Sequence, residues 1–407
     1  MQLKEMSSEI NLDAVRDKRV WMAVILGSLS AIGPLSIDMY LPSLPMMTND
    51  LSTTASLTQL SLTACLLGLS LGQLLAGPIS DRRGRRLPLM VGLLVYSIAS
   101  LLCALVSSIG WLIIFRFIQG VAGASGIVIC RAIVRDLYTG TELTKFFSLL
   151  MLVNGAAPIL APIIGGQLLQ YTTWHGVFIV LALSGAAMLM AVFFGLPETL
   201  MPERRATGGI GAVFLTFFQL LKDRLFFGYA LSQSFVTAAM FAYISGSSYV
   251  LQNIYAVTPQ QYSYIFALNG VGIILASQLT GRLAGKVRES TLLTLGIGLA
   301  AFSGIWLLVM ILVEAGLLAV LVPLFLVVSC VGIVGPTTFS LAMQNQGQAS
   351  GSAAALLGLL PMCAGAAVAP LVGLAGSMTA LPMGLVIAGC NLAALLSYVT
   401  FVYRRQS

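Results

Sequence analysis

Charge is scarce in this sequence. Of 407 residues only 9% are Asp, Glu, Lys or Arg, against roughly 25% in an ordinary soluble domain. Hydrophobic residues make up 58%. A water-soluble fold of that composition would expose far more contiguous apolar surface than monomers tolerate. Lipid is the solvent such a surface fits, so the chain reads as an integral membrane protein. Histidine is nearly absent as well: the one example, His175, follows Trp174 at the start of an apolar run and reads as an interfacial anchor. The six cysteines (Cys65, Cys103, Cys130, Cys330, Cys363 and Cys390) all lie inside apolar runs, without framework spacing and without a CxxC pair. That excludes a disulfide scaffold and leaves them as small buried hydrophobes. No nucleophile accompanied by histidine and acid, no metal-ligand cluster and no phosphate-binding loop is visible, which argues against an enzyme and calls for neither metal nor cofactor.

What the sequence has in abundance is apolar runs of about 20 residues, the length needed to cross ~30 Å of hydrocarbon at 1.5 Å per residue. Twelve spans are expected near 20–43, 57–79, 87–108, 111–134, 146–170, 175–197, 225–250, 260–284, 291–313, 316–342, 352–375 and 380–403. The polar stretch 198–224 separates two groups of six and is too short for a catalytic domain. The expected fold is therefore all-α: two six-helix pseudo-repeats at 20–197 and 225–403, a linker at 198–224, and short polar ends at 1–19 and 404–407. Parallel repeats of this kind place a substrate site between the halves near the membrane midplane. Because Met1 to Arg19 is polar and the first apolar run is long enough to span, no cleaved signal and no lipid anchor are expected.

The net charge of +7 does not point to nucleic acid, because of where it falls. Alternate connections collect 20 of the 21 basic residues, among them Arg82, Arg83, Arg85, Arg86, Arg131, Arg135, Lys222, Arg282 and Lys286; the other connections hold none. Cytoplasmic loops gather Lys and Arg, so both termini are expected on the cytoplasmic side of the plasma (inner) membrane.

Two ionisable residues fall well inside the expected spans, Asp38 in the first and Arg116 in the fourth. A charge in the hydrocarbon costs at least ~2.5–3.5 kcal/mol on insertion scales, so such residues face a cavity or a partner. Each lies about five residues, roughly 7–8 Å, below the same surface, and the two are expected to pair. Either they form a fixed ion pair that locks two helices, or Asp38 binds and releases protons. A carboxyl between dehydration and a nearby cation is suited to the second task.

The second connection reads Gly77-Pro78-Ile79-Ser80-Asp81-Arg82-Arg83-Gly84-Arg85-Arg86. It resembles the signature loop between helices 2 and 3 of the major facilitator superfamily, G-x-x-x-D-R-x-G-R-R/K. At the matching loop of the second half, Gly281-Arg282-Leu283-Ala284-Gly285-Lys286 looks like a worn copy with Gly285 in place of the acid. The fourth span carries Arg116-Phe117-Ile118-Gln119-Gly120-Val121-Ala122-Gly123-Ala124, similar to the R-x-x-Q-G-x-G-A pattern of proton-coupled members. The fifth carries Ala157-Pro158-Ile159-Leu160-Ala161-Pro162-Ile163-Ile164-Gly165-Gly166, close to the G-P-x-x-G-G antiporter motif with Ala161 where the first glycine is usual. Ser36-Ile37-Asp38-Met39-Tyr40-Leu41-Pro42 and Val134-Arg135-Asp136-Leu137-Tyr138 resemble the Bcr/CflA-type drug-resistance subfamily, which includes bicyclomycin and chloramphenicol exporters. Ser30 stands where some related exporters carry a second acid, leaving Asp38 alone.

The resemblance implies a proton-coupled antiporter that exports small, largely apolar drugs or metabolites by alternating access; a proton symporter taking up a small polar nutrient is the alternative. It also implies a latch in which Asp81 meets a helix N-terminus near Gly351 and Arg85 pairs with Asp136, with Gly77, Arg82 and Gly84 shaping the loop. For the substrate pocket the residues suggest Asp38, Met39, Tyr40, Gln119, Asn154, Tyr243, Tyr249 and Asn269, polar or amphipathic groups in apolar spans; each could equally bond a neighbouring helix. The expected partners are the lipid bilayer, a small-molecule substrate and protons, with no nucleic acid, and the chain is expected to act as a monomer.

Overall fold

The computed structural model describes residues 19–205, 211–344, 346, 350–376 and 378–403. The polar ends expected at 1–19 and 404–407 fall outside these, apart from Arg19. Among the described residues the regular structure is helical, and twelve helices are long and apolar enough to cross a membrane. The first span, Trp21–Asp50, is broken: α1 (Arg19–Asp38) is followed by a 3₁₀ turn at Leu41–Ser43 and a short α2 (Leu44–Asp50). Next come α3 (Ala55–Arg83), α4 (Arg86–Leu105), α5 (Ile109–Leu137), α6 (Gly140–Leu168) and α7 (Trp174–Gly195). A shorter α8 (Gly211–Lys222) precedes α9 (Arg224–Tyr249), α10 (Pro259–Leu283), α11 (Glu289–Leu312), α12 (Leu317–Met343), α13 (Ser350–Val368) and α14 (Leu381–Tyr398).

Backbone amides have no water to bond in hydrocarbon, so each span satisfies them internally as a helix. Hydroxyls within the spans follow the same rule by donating one turn back: Ser70 to Leu66 O, Ser97 to Leu93 O and Ser329 to Phe325 O, at 2.7–2.8 Å. Many large hydrophobic side chains point outward, with Phe194, Leu275, Phe302 and Leu318 more than half exposed. In water that surface would drive aggregation; against acyl chains it is the required exterior.

The chain divides into two compact units. The first comprises Met1–Tyr40, Ala64–Ile164 and Leu168–Gly208; in it α4 packs against α5 and α7, and α1 against α5 and α7. The second comprises Leu41–Thr63, Gly165–Gln167 and Gly209–Ser407; in it α9 packs against α13 and α14, and α12 against α10 and α11. In the second unit, Ser248 Oγ donates to Leu41 O (2.8 Å), Gln252 Nε2 to Pro42 O (3.0 Å), Gln59 Nε2 to Ser245 O (3.0 Å) and Thr63 Oγ1 to Ala366 O (3.0 Å).

The worn copy of the signature loop aligns differently from the expectation. Gly84 has φ +91° and Gly285 has φ +82°, the left-handed region that glycine enters without a Cβ clash. Both sit just past a helix end, so Gly285 corresponds to Gly84 and not to the acid. Counting back three residues, the position of Asp81 is held by Arg282 in the second half.

Close helix approach in the first unit also depends on glycine. A Cβ on Gly120 would strike the backbone of Cys65 and Leu69, and one on Gly68 the backbone of Phe117 and Val121. These two positions let α3 and α5 touch main chain to main chain, as small residues do at helix contacts in membranes. Gly120→Leu should therefore lower the melting temperature of the detergent-purified protein, consistent with an overpacking cost of about 1–3 kcal/mol or more. Gly298→Leu, where a Cβ meets open space, should leave it nearly unchanged.

Candidate functional site

Arg116 is fully buried in α5. Its Nη2 donates to Ser36 O at 2.9 Å and its Nη1 to Gln119 Oε1 at 2.5 Å, while its Cζ lies 4.3 Å from the centre of the Tyr40 ring and 5.6 Å from that of Phe178. Gln119, also buried, passes the chain of contacts on by donating Nε2 to Ser100 Oγ at 2.7 Å, and Ser100 Oγ donates to Tyr96 O. Tyr96 and Ser36 share a hydrogen bond between hydroxyls at 2.8 Å. One cation thus holds α1, α4 and α5 through groups that are all uncharged.

The expected Asp38–Arg116 ion pair does not form among the described residues. Two local facts account for it. First, α1 ends at Asp38 itself, not several residues later as the sequence suggested. Its last carbonyls, Ser36 O among them, lack intrahelical donors and carry the negative end of the helix dipole, and Arg116 takes that carbonyl. Second, Ser36 and Tyr40 lie four residues apart and so would share a helix face. Asp38 lies about 200° round from Ser36 at ~100° per residue. The Asp38 carboxyl is buried at 5% exposure, beside Met39 at 2%, and makes no hydrogen bond or ion pair among the described residues.

The loop between α3 and α4 carries a second cluster in the same unit. Arg85 Nε donates to Asp136 Oδ2 at 2.9 Å and Arg85 Nη1 to Asp81 Oδ1 at 2.5 Å and Ser80 Oγ at 2.9 Å. Burial opposes the charge of Arg85, but the hydrogen bonds and attraction of Asp136 and Asp81 outweigh it, raising its pKa above the usual arginine value. Arg85 is a fixed cation there. Sequence reasoning missed Glu198, just past α7. Its Oε1 accepts from Arg85 N (2.7 Å) and Leu200 N (3.0 Å), and its Oε2 from Arg86 N (3.1 Å). Thr199 Oγ1 adds a bond to Asp136 Oδ2 at 3.2 Å. A Cβ on Gly84 would enter the Glu198 carboxylate, so the glycine serves both its positive φ and this clasp. Gly77 and Arg82 flank the cluster on α3. The surroundings of Gly351 include residues outside those described.

The remaining candidates are dispersed. Pro158 and Pro162 lie inside α6, where Ala161, Pro162, Gly165 and Gly166 are buried. Gly166 O accepts Gln260 Nε2 from α10 at 2.9 Å. Asn154 Nδ2 donates to Ser30 Oγ and to Leu150 O, both at 2.8 Å, so the serine standing where a second acid was considered bonds a neutral amide. In the second unit, Asn269 Nδ2 donates to Tyr243 OH at 2.8 Å, and Tyr249 OH bonds Thr48 Oγ1 at 2.8 Å. Asn154, Asn269, Tyr243 and Tyr249 therefore tie helices together.

Residues 26–370 match the model of the Major Facilitator Superfamily. An uncharacterized MFS-type transporter, YdgK of Bacillus subtilis, is 45% identical over 91% of this chain and 92% of its own length. A bicyclomycin resistance protein homolog of Haemophilus influenzae is 32% identical over 92% of this chain and 94% of its own. Among solved structures, the partially occluded inward-open xylose transporter XylE from E. coli superposes with a TM-score of 0.71 at 14% identity, covering 94% of this chain and 97% of that one. At that identity the likeness is one of fold.

Glu198→Ala should strand two amides at the start of α4. The Arg86 amide is exposed and can turn to water, but the Arg85 amide is part-buried, and leaving it unsatisfied costs about 1 kcal/mol or more; the purified variant should therefore melt a few degrees lower, whereas Glu203→Ala, outside the clasp, should not. Equal melting of the two would show that Glu198 does not hold the loop.

Proposed function

The chain belongs to the Major Facilitator Superfamily, and within it we propose a proton-coupled antiporter that exports small, largely apolar drugs or metabolites across the bacterial plasma membrane. The family is one of secondary transporters, not enzymes. The observation that carries the finer reading is Asp38: a buried carboxyl inside a membrane span, without a hydrogen bond or ion pair among the described residues, on a helix whose end is held by a buried cation. A carboxyl so placed can take up and release a proton without first breaking an ion pair. Its charge alters the field at the end of α1, two residues from the carbonyl that Arg116 holds, and so biases the grip of α1 on α5. Drug release and proton entry are linked through that grip. The similarity to a protein named for bicyclomycin resistance and the proline-bearing antiporter-like segment of α6 favour export over uptake.

In this scheme the six-helix halves at 20–197 and 225–403, joined by 198–224, move in alternating access with both termini cytoplasmic. Asp81, Arg85 and Asp136, with Gly77, Arg82 and Gly84, act as the latch of the loop between α3 and α4. Pro158, Ala161, Pro162, Gly165 and Gly166 give α6 its bend and close contacts. Asp38, Met39 and Tyr40 line the substrate path, with Gln119 positioning Arg116. The protein works as a monomer in the bilayer, and neither a metal nor a cofactor is needed.

The test is growth of an efflux-deficient host on a drug panel, with and without a protonophore. The wild type should protect against one or more apolar drugs, and the protonophore should remove the protection. Asp38→Asn should reach the membrane in normal amount yet protect no better than empty vector. Gradient-sensitive efflux by that variant would overturn the role of Asp38, and drug accumulation in place of protection would favour an uptake symporter.

A further inference from the structure

Two apolar grooves run along opposite sides of α4 in the first unit. One, of about 500 Å³, lies between α3, α4 and α5, with Gly72, Ala76, Gly92, Val121 and Ser125 among its lining. The other, of about 320 Å³, lies between α4 and α7, lined by Leu94, Leu189, Met190 and Phe193 among others. Leu87 and Val91 line both, so they form the ridge between the grooves. Leu87 is 57% and Val91 52% exposed; the ridge meets lipid.

One groove reaches an arginine, and a second arginine stands beside the other at the same end of the helices. Arg83, the last residue of α3, lines the first; it is exposed and makes no hydrogen bond or ion pair among the described residues. Arg86, the first residue of α4, stands over the Phe193 ring that lines the second, its Nη2 on Phe193 O at 2.6 Å. The carboxylates nearby are committed elsewhere: Asp81 and Asp136 hold Arg85, and Glu198 holds backbone amides. From Arg83 the first groove follows α3 back to Gly72, eleven residues or about 16 Å of helix. That is close to half of a ~30 Å hydrocarbon core, the depth of one acyl chain.

We propose that the two grooves hold the acyl chains of one anionic phospholipid straddling the Leu87–Val91 ridge, its phosphate lying between Arg83 and Arg86 in the leaflet that meets the α3–α4 loop. Two grooves sharing a ridge suit a diacyl lipid better than a single-chain amphiphile, and the unpaired guanidinium selects an anionic headgroup over a zwitterionic one.

The experiment is native mass spectrometry of the full chain in detergent, titrated with phosphatidylglycerol or with phosphatidylcholine of the same acyl chains. The wild type should retain one phosphatidylglycerol under conditions that strip phosphatidylcholine. Arg83→Gln should weaken that retention about fivefold, the fold-change that ~1 kcal/mol per basic residue at an anionic surface represents. Ala76→Trp, which fills the first groove, should abolish retention while leaving the melting temperature in lipid-free detergent unchanged. Equal retention of the two lipids, or wild-type retention by Arg83→Gln, would overturn the headgroup site. Wild-type retention by Ala76→Trp would overturn the grooves as the place of binding.

Discussion

A guanidinium keeps its charge at any physiological pH, and Arg116 carries one where no water reaches. Its neighbours are arranged around that fact. The cheapest counter-charge for a buried cation is a carboxylate, yet none pairs with it among the described residues. The structure uses instead the open carbonyl end of α1, a glutamine oxygen and the π face of Tyr40, each a partial negative charge that stands in for part of the lost hydration, while Nε makes no hydrogen bond among the described residues. Because Ser36 O is free only where α1 stops, the break after Asp38 and the burial of Arg116 are one feature seen from two sides. A helix running on to Pro42 would consume that carbonyl in its own ladder.

The same economy governs the loop between α3 and α4. Its arginines could repel one another, but Arg85 is neutralised twice, by Asp81 and Asp136, and the turn is pinned by a carboxylate on main-chain amides. The cation–carboxylate pairs thus lie at the edge of the membrane, where water lowers their cost, while in the interior the charge is met by dipoles. That division leaves Asp38 as a buried acid with no hydrogen bond or ion pair among the described residues, and this is why it invites a functional reading.

Much of this was legible in the sequence. The twelve spans follow from run length alone, and Asp38 and Arg116 stand out because charge is rare between the loops. Their pairing was not legible: it rested on equal depth, and depth says nothing of angle around a helix. Only the end of α1, set by the chain turning at Met39 and Tyr40, fixes which group faces Arg116. Glu198 is hard to single out because it opens a polar linker; an acid directly after a span, opposite an arginine-rich turn, is the available signal. The misaligned glycine of the second half shows the same limit. Backbone φ, not residue spacing, identified Gly285 as the counterpart of Gly84. The hydrogen-bonded pairs of Asn154 with Ser30 and Tyr243 with Asn269 could not be foreseen, since one sequence gives no contact across helices.

The partners of Arg116 also have an order along the chain. Chains are made from the N-terminus at about 5–20 residues per second, so Ser36, Tyr40, Tyr96 and Ser100 are all synthesised before the helix that carries the arginine, and Gln119 follows it by three residues. By the time the charge leaves the ribosome, the α1 carbonyl that accepts from it already exists. An acid on a later helix would have left the cation waiting in the bilayer for its mate; a carbonyl on the first helix is there on arrival. The choice of a main-chain acceptor over a distant carboxylate thus lets this segment be inserted in sequence, without the assembly having to backtrack.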